Sequence, residues 1–115
     1  MNEATIDAKL VRESAIAGSW YPGRRDTLTS QIEGFLAAVP PQPLPGELVA
    51  LISPHAGYVY SGQVAAHAYK LLAGKHYDLV AVVSPSHRPY TGRALDTKKR
   101  YYRTPLGLVE VAHDL

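Results

Sequence analysis

The chain is 115 residues long, with 46% hydrophobic and 19% charged residues and a formal charge of +2. That length and composition predict a single globular domain with a core of its own and exclude a disordered chain. The weak positive charge does not by itself imply nucleic acid or an anionic membrane, and the absence of cysteine excludes a disulfide scaffold, a Cys-ligated zinc site and a cysteine nucleophile. No apolar run approaches the ~18 residues needed to span a bilayer, and the first dozen residues lack a secretory h-region, so a cytoplasmic address is expected.

Residues 1–9 read as a polar lead-in. Residues 16–25 hold the single Trp but contain Gly18, Pro22 and Gly23, which break both helix and strand, so a loop is predicted there. Asp26 or Thr27 can cap a helix that carries Leu28, Ile32, Phe35, Leu36 and Val39 on one stripe. Pro40 and Pro41 stop it, and residues 40–46 form a stiff connector. Residues 48–53 are a short continuous apolar run, the pattern of a strand buried on both faces. After a loop over 55–60, Ser61 is placed to cap a second helix with Val64, Ala65, Ala68, Leu71 and Leu72 on one face and Gly74 near its end. Residues 78–84 repeat the buried-strand pattern. Strand, helix and strand make a βαβ unit, with parallel strands and a right-handed crossover. Residues 93–98 and 108–112 read as shorter edge or hairpin strands around the 101–107 loop. The predicted core is Leu48, Val49, Leu51, Ile52, Val80, Val82, Val83, Ile32, Phe35, Leu36, Leu71 and Leu72. Parallel strands need neighbours and cover on both faces, and the chain supplies little of either. This points to a chain that is incomplete or completed by a partner.

The two runs end alike, in Ile52-Ser53-Pro54-His55 and Val83-Ser84-Pro85-Ser86-His87. Ligands of open α/β sheets bind beyond the carboxyl ends of parallel strands. Imidazoles leaving adjacent strand ends can converge on one metal ion, each on a backbone stiffened by proline. The competing reading for either histidine alone is an ordinary hydrogen-bonded loop residue; the repetition favours the pair. A third ligand is not evident, although His113 and Asp114 are available in the tail. His67 is expected to make a core or interhelix hydrogen bond and His76 to be solvated. Trp20 and Tyr21 admit two readings, core plugs or the wall of a pocket. Tyr58 and Tyr60 flank His55 and either orient a substrate and donate protons or simply pack. The cluster Lys98-Lys-Arg-Tyr-Tyr-Arg103 has nucleic-acid character but reads as a solvated loop, and no phosphate-loop motif follows Gly57 or Gly62.

Five segments, Ala17-Gly-Ser-Trp-Tyr-Pro22, Pro54-His-Ala-Gly-Tyr58 with Tyr60-Ser-Gly62, Ala65-Ala-His-Ala-Tyr69, Pro85-Ser-His87 and Tyr102-Arg-Thr-Pro-Leu-Gly107, resemble successive motifs of the Memo family. Its bacterial and archaeal members are also called AmmeMemoRadiSam system protein B. The resemblance implies an α/β fold, a three-layer α/β/α sandwich similar to the LigB-like class III extradiol dioxygenases, in a cytosolic protein. In eukaryotes the family is linked to cell motility and phosphotyrosine-peptide binding. It implies an iron or copper ion held by His55, His87 and a cysteine further along, with another later histidine lining the site. It also places Trp20 at the pocket wall. Family members are more than twice as long, so residues 1–115 resemble the truncated N-terminal portion of the domain, without that cysteine and histidine. The functions implied are a non-haem, metal-dependent redox enzyme acting at His55 and His87 with Trp20, Tyr58 and Tyr60 facing substrate, or a non-enzymatic protein that seats a (phospho)tyrosine-type ligand in the same pocket. An inactive fragment is the third reading. The expected partners are a small-molecule or peptide ligand and either a second copy or the missing C-terminal half; neither nucleic acid nor membrane is expected.

Overall fold

Residues 2–94 and 97–114 are described in the computed structural model of the chain. The elements are β1 (Val11–Arg12), α1 (Arg25–Ala37), α2 (Tyr58–Tyr69), β2 (Tyr101–Thr104) and β3 (Gly107–Glu110). Short 3-10 turns lie at Glu3–Thr5 and Ala8–Leu10 and extend α2 over Lys70–Leu72. Among the described residues, the chain is therefore an α/β protein with two α-helices and a small mixed sheet.

Helix α1 carries the expected stripe. Leu28 and, just past the helix end, Val39 are buried, while Ile32, Phe35 and Leu36 are half-buried. Asp26 does not cap it. It sits inside the first turn, accepts the Thr27 N–H at 2.8 Å and pairs with Arg24 at 2.9 Å, and that guanidinium holds its carboxyl below the usual carboxylate range.

Helix α2 begins earlier than Ser61. The Ser61 hydroxyl bridges back to the amide and carbonyl of Ala56 at 3.0 and 3.2 Å, so it tightens the entry loop instead of capping. Gly57 takes the N-cap position, and Tyr58 and Tyr60 lie in the first helical turn. The two helices pack closely because Gly62 has no side chain: a Cβ there would meet Phe35 Cε2 at 2.5 Å. Gln63 donates to the Phe35 carbonyl at 3.0 Å. Lys70 reaches the Leu36 carbonyl at 3.0 Å and also the Val39 carbonyl. These acceptors belong to the end of α1, where carbonyls lack helical partners and the macrodipole favours a cation.

The sheet has the order β1-β2-β3. Strands β1 and β2 are parallel, with Val11 opposite Tyr101, both buried. Strands β2 and β3 form an antiparallel hairpin in which Thr104 faces Gly107. Gly107 has φ +132°, which an L side chain rarely adopts, and the Thr104 hydroxyl accepts the Leu106 N–H at 3.1 Å to close the turn. The sequence places the hairpin strands outside 101–107; instead β2 starts at Tyr101 and the turn is only Pro105-Leu106. Of the strand expected over 93–98, residues 95 and 96 lie outside the described residues and the others are not in a strand.

The largest correction concerns residues 48–53 and 78–84. Neither forms a strand, so the expected βαβ unit with its right-handed crossover is not present. Leu48 and Leu51 are half-buried, but Val49 and Ile52 are 91% and 97% exposed, and Val82 and Val83 are 85% and 94% exposed. Val80 is exposed as well. The physical reason is that a run buried on both faces needs flanking strands for its amides and a layer on each side. Here the helices pack on each other, and the hydrogen-bonded strands are formed elsewhere in the chain.

Candidate functional site

Three loop segments converge near the start of α2. The first, residues 16–23, is tied into a tight turn. The Ser14 hydroxyl accepts from the amides of Ile16 and Ala17 and lies 2.5 Å from the Tyr21 hydroxyl. The Gly18 amide donates to the Tyr21 carbonyl at 2.8 Å. Gly18 has φ +86°, and a Cβ on Gly23 would meet the Gly18 backbone at 3.3 Å, so both positions favour glycine.

This turn docks on α2 through its backbone. The Trp20 carbonyl accepts the Tyr58 N–H at 2.8 Å, satisfying one of the helix's unpaired amides, and Gly57 leaves room for that approach. The Tyr21 and Tyr58 rings then pack at 5.4 Å between centroids. Burial first, and the neighbouring Tyr21 and Tyr69 phenols second, push the Tyr58 hydroxyl above the ordinary tyrosine value. Tyr58 therefore holds its proton across the neutral range.

The second and third segments bring His55 and His87 together. Their ring centroids are 5.6 Å apart with planes inclined at 39°. Both residues are exposed. The residues are 32 positions apart in sequence (87 − 55), so the contact joins the ends of the two apolar runs even though neither run is a strand. Two imidazoles bound to one ion through nitrogens at ~2.1 Å and a roughly tetrahedral angle have ring centres about 5 Å apart. The observed centroid spacing lies close to that value. Among the described residues, no group of three or more His, Cys, Asp or Glu side chains could complete it.

The remaining candidates separate. Trp20 is 47% exposed, so it is not a core plug, and its backbone is what fixes the loop to the helix. Tyr60 is 86% exposed, whereas Tyr58 is half-buried. His67 is exposed and its Nδ1 lies 2.9 Å from the Gln63 carbonyl one turn earlier, an intrahelical contact and not an interhelix one. His76 is exposed beside Asp78 at 3.5 Å. His113 contacts the Lys99 carbonyl at 2.9 Å, just ahead of strand β2. The basic cluster is largely occupied: Arg100 pairs with Glu110, Arg103 with Glu3 and Glu13, and Lys99 donates to the Lys9 carbonyl. The residue that sequence reasoning passed over is Ser14. The signal for Ser14 was the set of helix breakers at Gly18 and Pro22-Gly23, which fold the segment back on itself.

Among the described residues, no helix is long and apolar enough to cross a membrane. The family model described as Memo-like protein matches residues 12–115. Protein MEMO1 of Danio rerio is 41% identical over 95 residues, covering 83% of this chain and 31% of the relative. A MEMO1 family protein of Sulfurisphaera tokodaii is 38% identical over 112 residues, covering 89% and 39%. One of Schizosaccharomyces pombe is 38% identical over 108 residues, covering 94% and 34%. The chain thus spans about a third of the length of these curated relatives. With a family model matched over nearly all of its residues, the chain belongs to the Memo family.

Proposed function

We propose that His55 and His87 are two ligands of a mononuclear non-haem metal site, for iron or copper, in a cytoplasmic protein whose redox chemistry resembles that of class III extradiol dioxygenases. The supporting observation is the convergence of the two rings at 5.6 Å. When bound, such an ion supplies redox chemistry and open positions for an oxygen-bearing substrate. The chain's own residues have separate tasks. The two imidazoles hold the ion on prolyl-stiffened loops. The Tyr58 hydroxyl, half-buried at the start of α2 and three residues after His55, would supply a proton. Trp20 and Tyr60, with exposed rings, offer apolar surface against which a flat substrate can lie. The complete architecture in this reading is the three-layer α/β/α sandwich, with the histidines at the ends of adjacent parallel strands.

The test is metal content in protein purified without chelator. The wild type retains iron or copper, and His55→Ala/His87→Ala loses it; equal content in both ends the metal reading. Oxygen uptake with catechol-type substrates then tests the redox step. The exposed rings of Trp20 and Tyr60 also favour a second reading, a non-enzymatic site for a tyrosine or phosphotyrosine side chain. Saturable phosphotyrosine-peptide binding without oxygen uptake, lost in Trp20→Ala, selects it.

A further inference from the structure

A cavity of about 270 Å³ lies between the proline-rich connector and the C-terminal end of α2. Its walls all come from residues 39–75, so this one stretch of chain builds it. It shares no residue with the His55–His87 pair. Helix α2, 12 residues and about 18 Å long, runs from beside His55 to the cavity.

The connector is a rigid wall. Pro40, Pro41, Pro43 and Pro45 fix their own φ angles and hold the residue before each of them extended. Gly46, at φ +87°, then turns the chain. The wall is anchored at both ends, by buried Val39 and half-buried Leu48. A cavity with such a wall is formed before a ligand arrives, so little ordering is lost on binding.

The lining has two kinds of surface. Leu44, Leu48 and Leu71 are apolar, while Lys70 and Lys75 bring two ammonium groups. Among the described residues, no Asp or Glu lines the cavity and Lys75 has no ion pair. Lys70 is held in place by the carbonyls of Leu36 and Val39, which take two of its three N–H donors and leave one. Two cations without a counter-charge repel a cationic ligand and favour an anion. A bare, strongly hydrated anion would leave the leucines unused, so the fitting ligand also carries an apolar part. The volume is just under the ~300–1,000 Å³ of sites for drug-sized ligands, so that ligand is small.

We propose that this cavity binds a small carboxylate with an apolar body, the carboxylate at Lys70 and Lys75 and the body against Leu44, Leu48 and Leu71. The proposal is independent of the metal reading.

The test titrates the full 115-residue chain with hexanoate, with hexanol and hexylamine as neutral and cationic controls of the same apolar body, following the backbone amide resonances. Hexanoate shifts the amides of Gln42, Leu44, Gly46 and Lys75 saturably. Hexanol binds about tenfold more weakly, the loss expected for one hydrogen bond to a charged group, and hexylamine does not bind. Lys75→Glu weakens hexanoate at least as much, and the side chain is exposed, so far-ultraviolet circular dichroism is unchanged. Ala73→Phe enlarges a wall residue without touching a cation and abolishes hexanoate binding. His55→Ala/His87→Ala binds hexanoate as the wild type does, which separates this test from the metal test. No saturable shift, shifts centred on other amides, equal affinity for hexanol and hexanoate, or hexanoate binding unaffected by Lys75→Glu overturns the proposal.

Discussion

Replacing Gly62 with alanine sets two effects of known sign against each other. Alanine is favoured over glycine inside a helix by about 1 kcal/mol. At Gly62, however, the new Cβ would lie 2.5, 3.0 and 3.1 Å from three atoms of the Phe35 ring, closer than carbon atoms pack. Relieving that overlap by moving a ring or a helix costs typically about 1–3 kcal/mol. Gly34, in the interior of α1, is the matched control: a Cβ added there meets nothing within 4 Å, so Gly34→Ala keeps the helix gain with no steric cost. Gly34→Ala is therefore expected to stabilise the chain by about 1 kcal/mol. Gly62→Ala is expected to destabilise it by about 1 kcal/mol, a gap of about 2 kcal/mol. In a chain of this size that gap separates the thermal midpoints by roughly 8 °C. Urea denaturation monitored by far-ultraviolet circular dichroism measures both variants, and the slope m should not change. Adding Phe35→Leu to Gly62→Ala should recover part of the loss, because the two residues touch. Equal stability of the two alanine variants would falsify the proposed close contact between the helices.

Lys70→Met removes the cation that serves the carbonyls of Leu36 and Val39, and urea titration should show a loss of about 1–3 kcal/mol; an unchanged midpoint would mean that water serves those carbonyls equally well. The raised value of the Tyr58 phenol has a definite linkage sign: the unfolded chain ionises first, so the contribution is fully present below about pH 10 and is lost as pH rises through the folded-state value. Tyr58→Phe should flatten the decline in stability above that pH and remove the last phenolate to appear in an ultraviolet titration, and an unaltered titration refutes the burial argument. Ser14→Ala leaves the Tyr21 hydroxyl without its 2.5 Å partner and frees the turn that seats Trp20 on α2, so the Tyr58 amide should exchange faster with solvent; unchanged exchange contradicts that linkage.

The helices are legible in the sequence because their signal is local. The spacing of Leu28, Ile32 and Phe35 and the stop at Pro40 fix α1 without reference to the rest of the molecule. The start of α2 is not, because a serine at a plausible cap position can bond in either direction along the chain, and Ser61 bonds to Ala56. The apolar runs have the composition of strands, which records what a segment would bury and not whether the chain supplies the cover. Even so, the repeated Pro-His endings point to the His55–His87 contact that the structure shows, because loop ends can meet without a ladder behind them. The role of Lys70 is not readable, since it depends on a packing angle between helices that no local pattern encodes. Tyr58 and Trp20 stand out in the sequence as candidates from their neighbourhood. That the Trp20 carbonyl, and not its indole, makes the decisive contact with α2 depends on backbone geometry that the residue names do not carry.

Whether His55 and His87 share one ion is tested most directly by titrating the chain with iron(II) or copper(II) and following the imidazole resonances of the individual histidines. With a shared ion, the rings of His55 and His87 respond together and saturate at one ion per chain while His67 and His76 do not move, and either single alanine substitution abolishes the response of the remaining ring. Independent responses at different metal concentrations, or a response of one ring that persists when the other is removed, would contradict it.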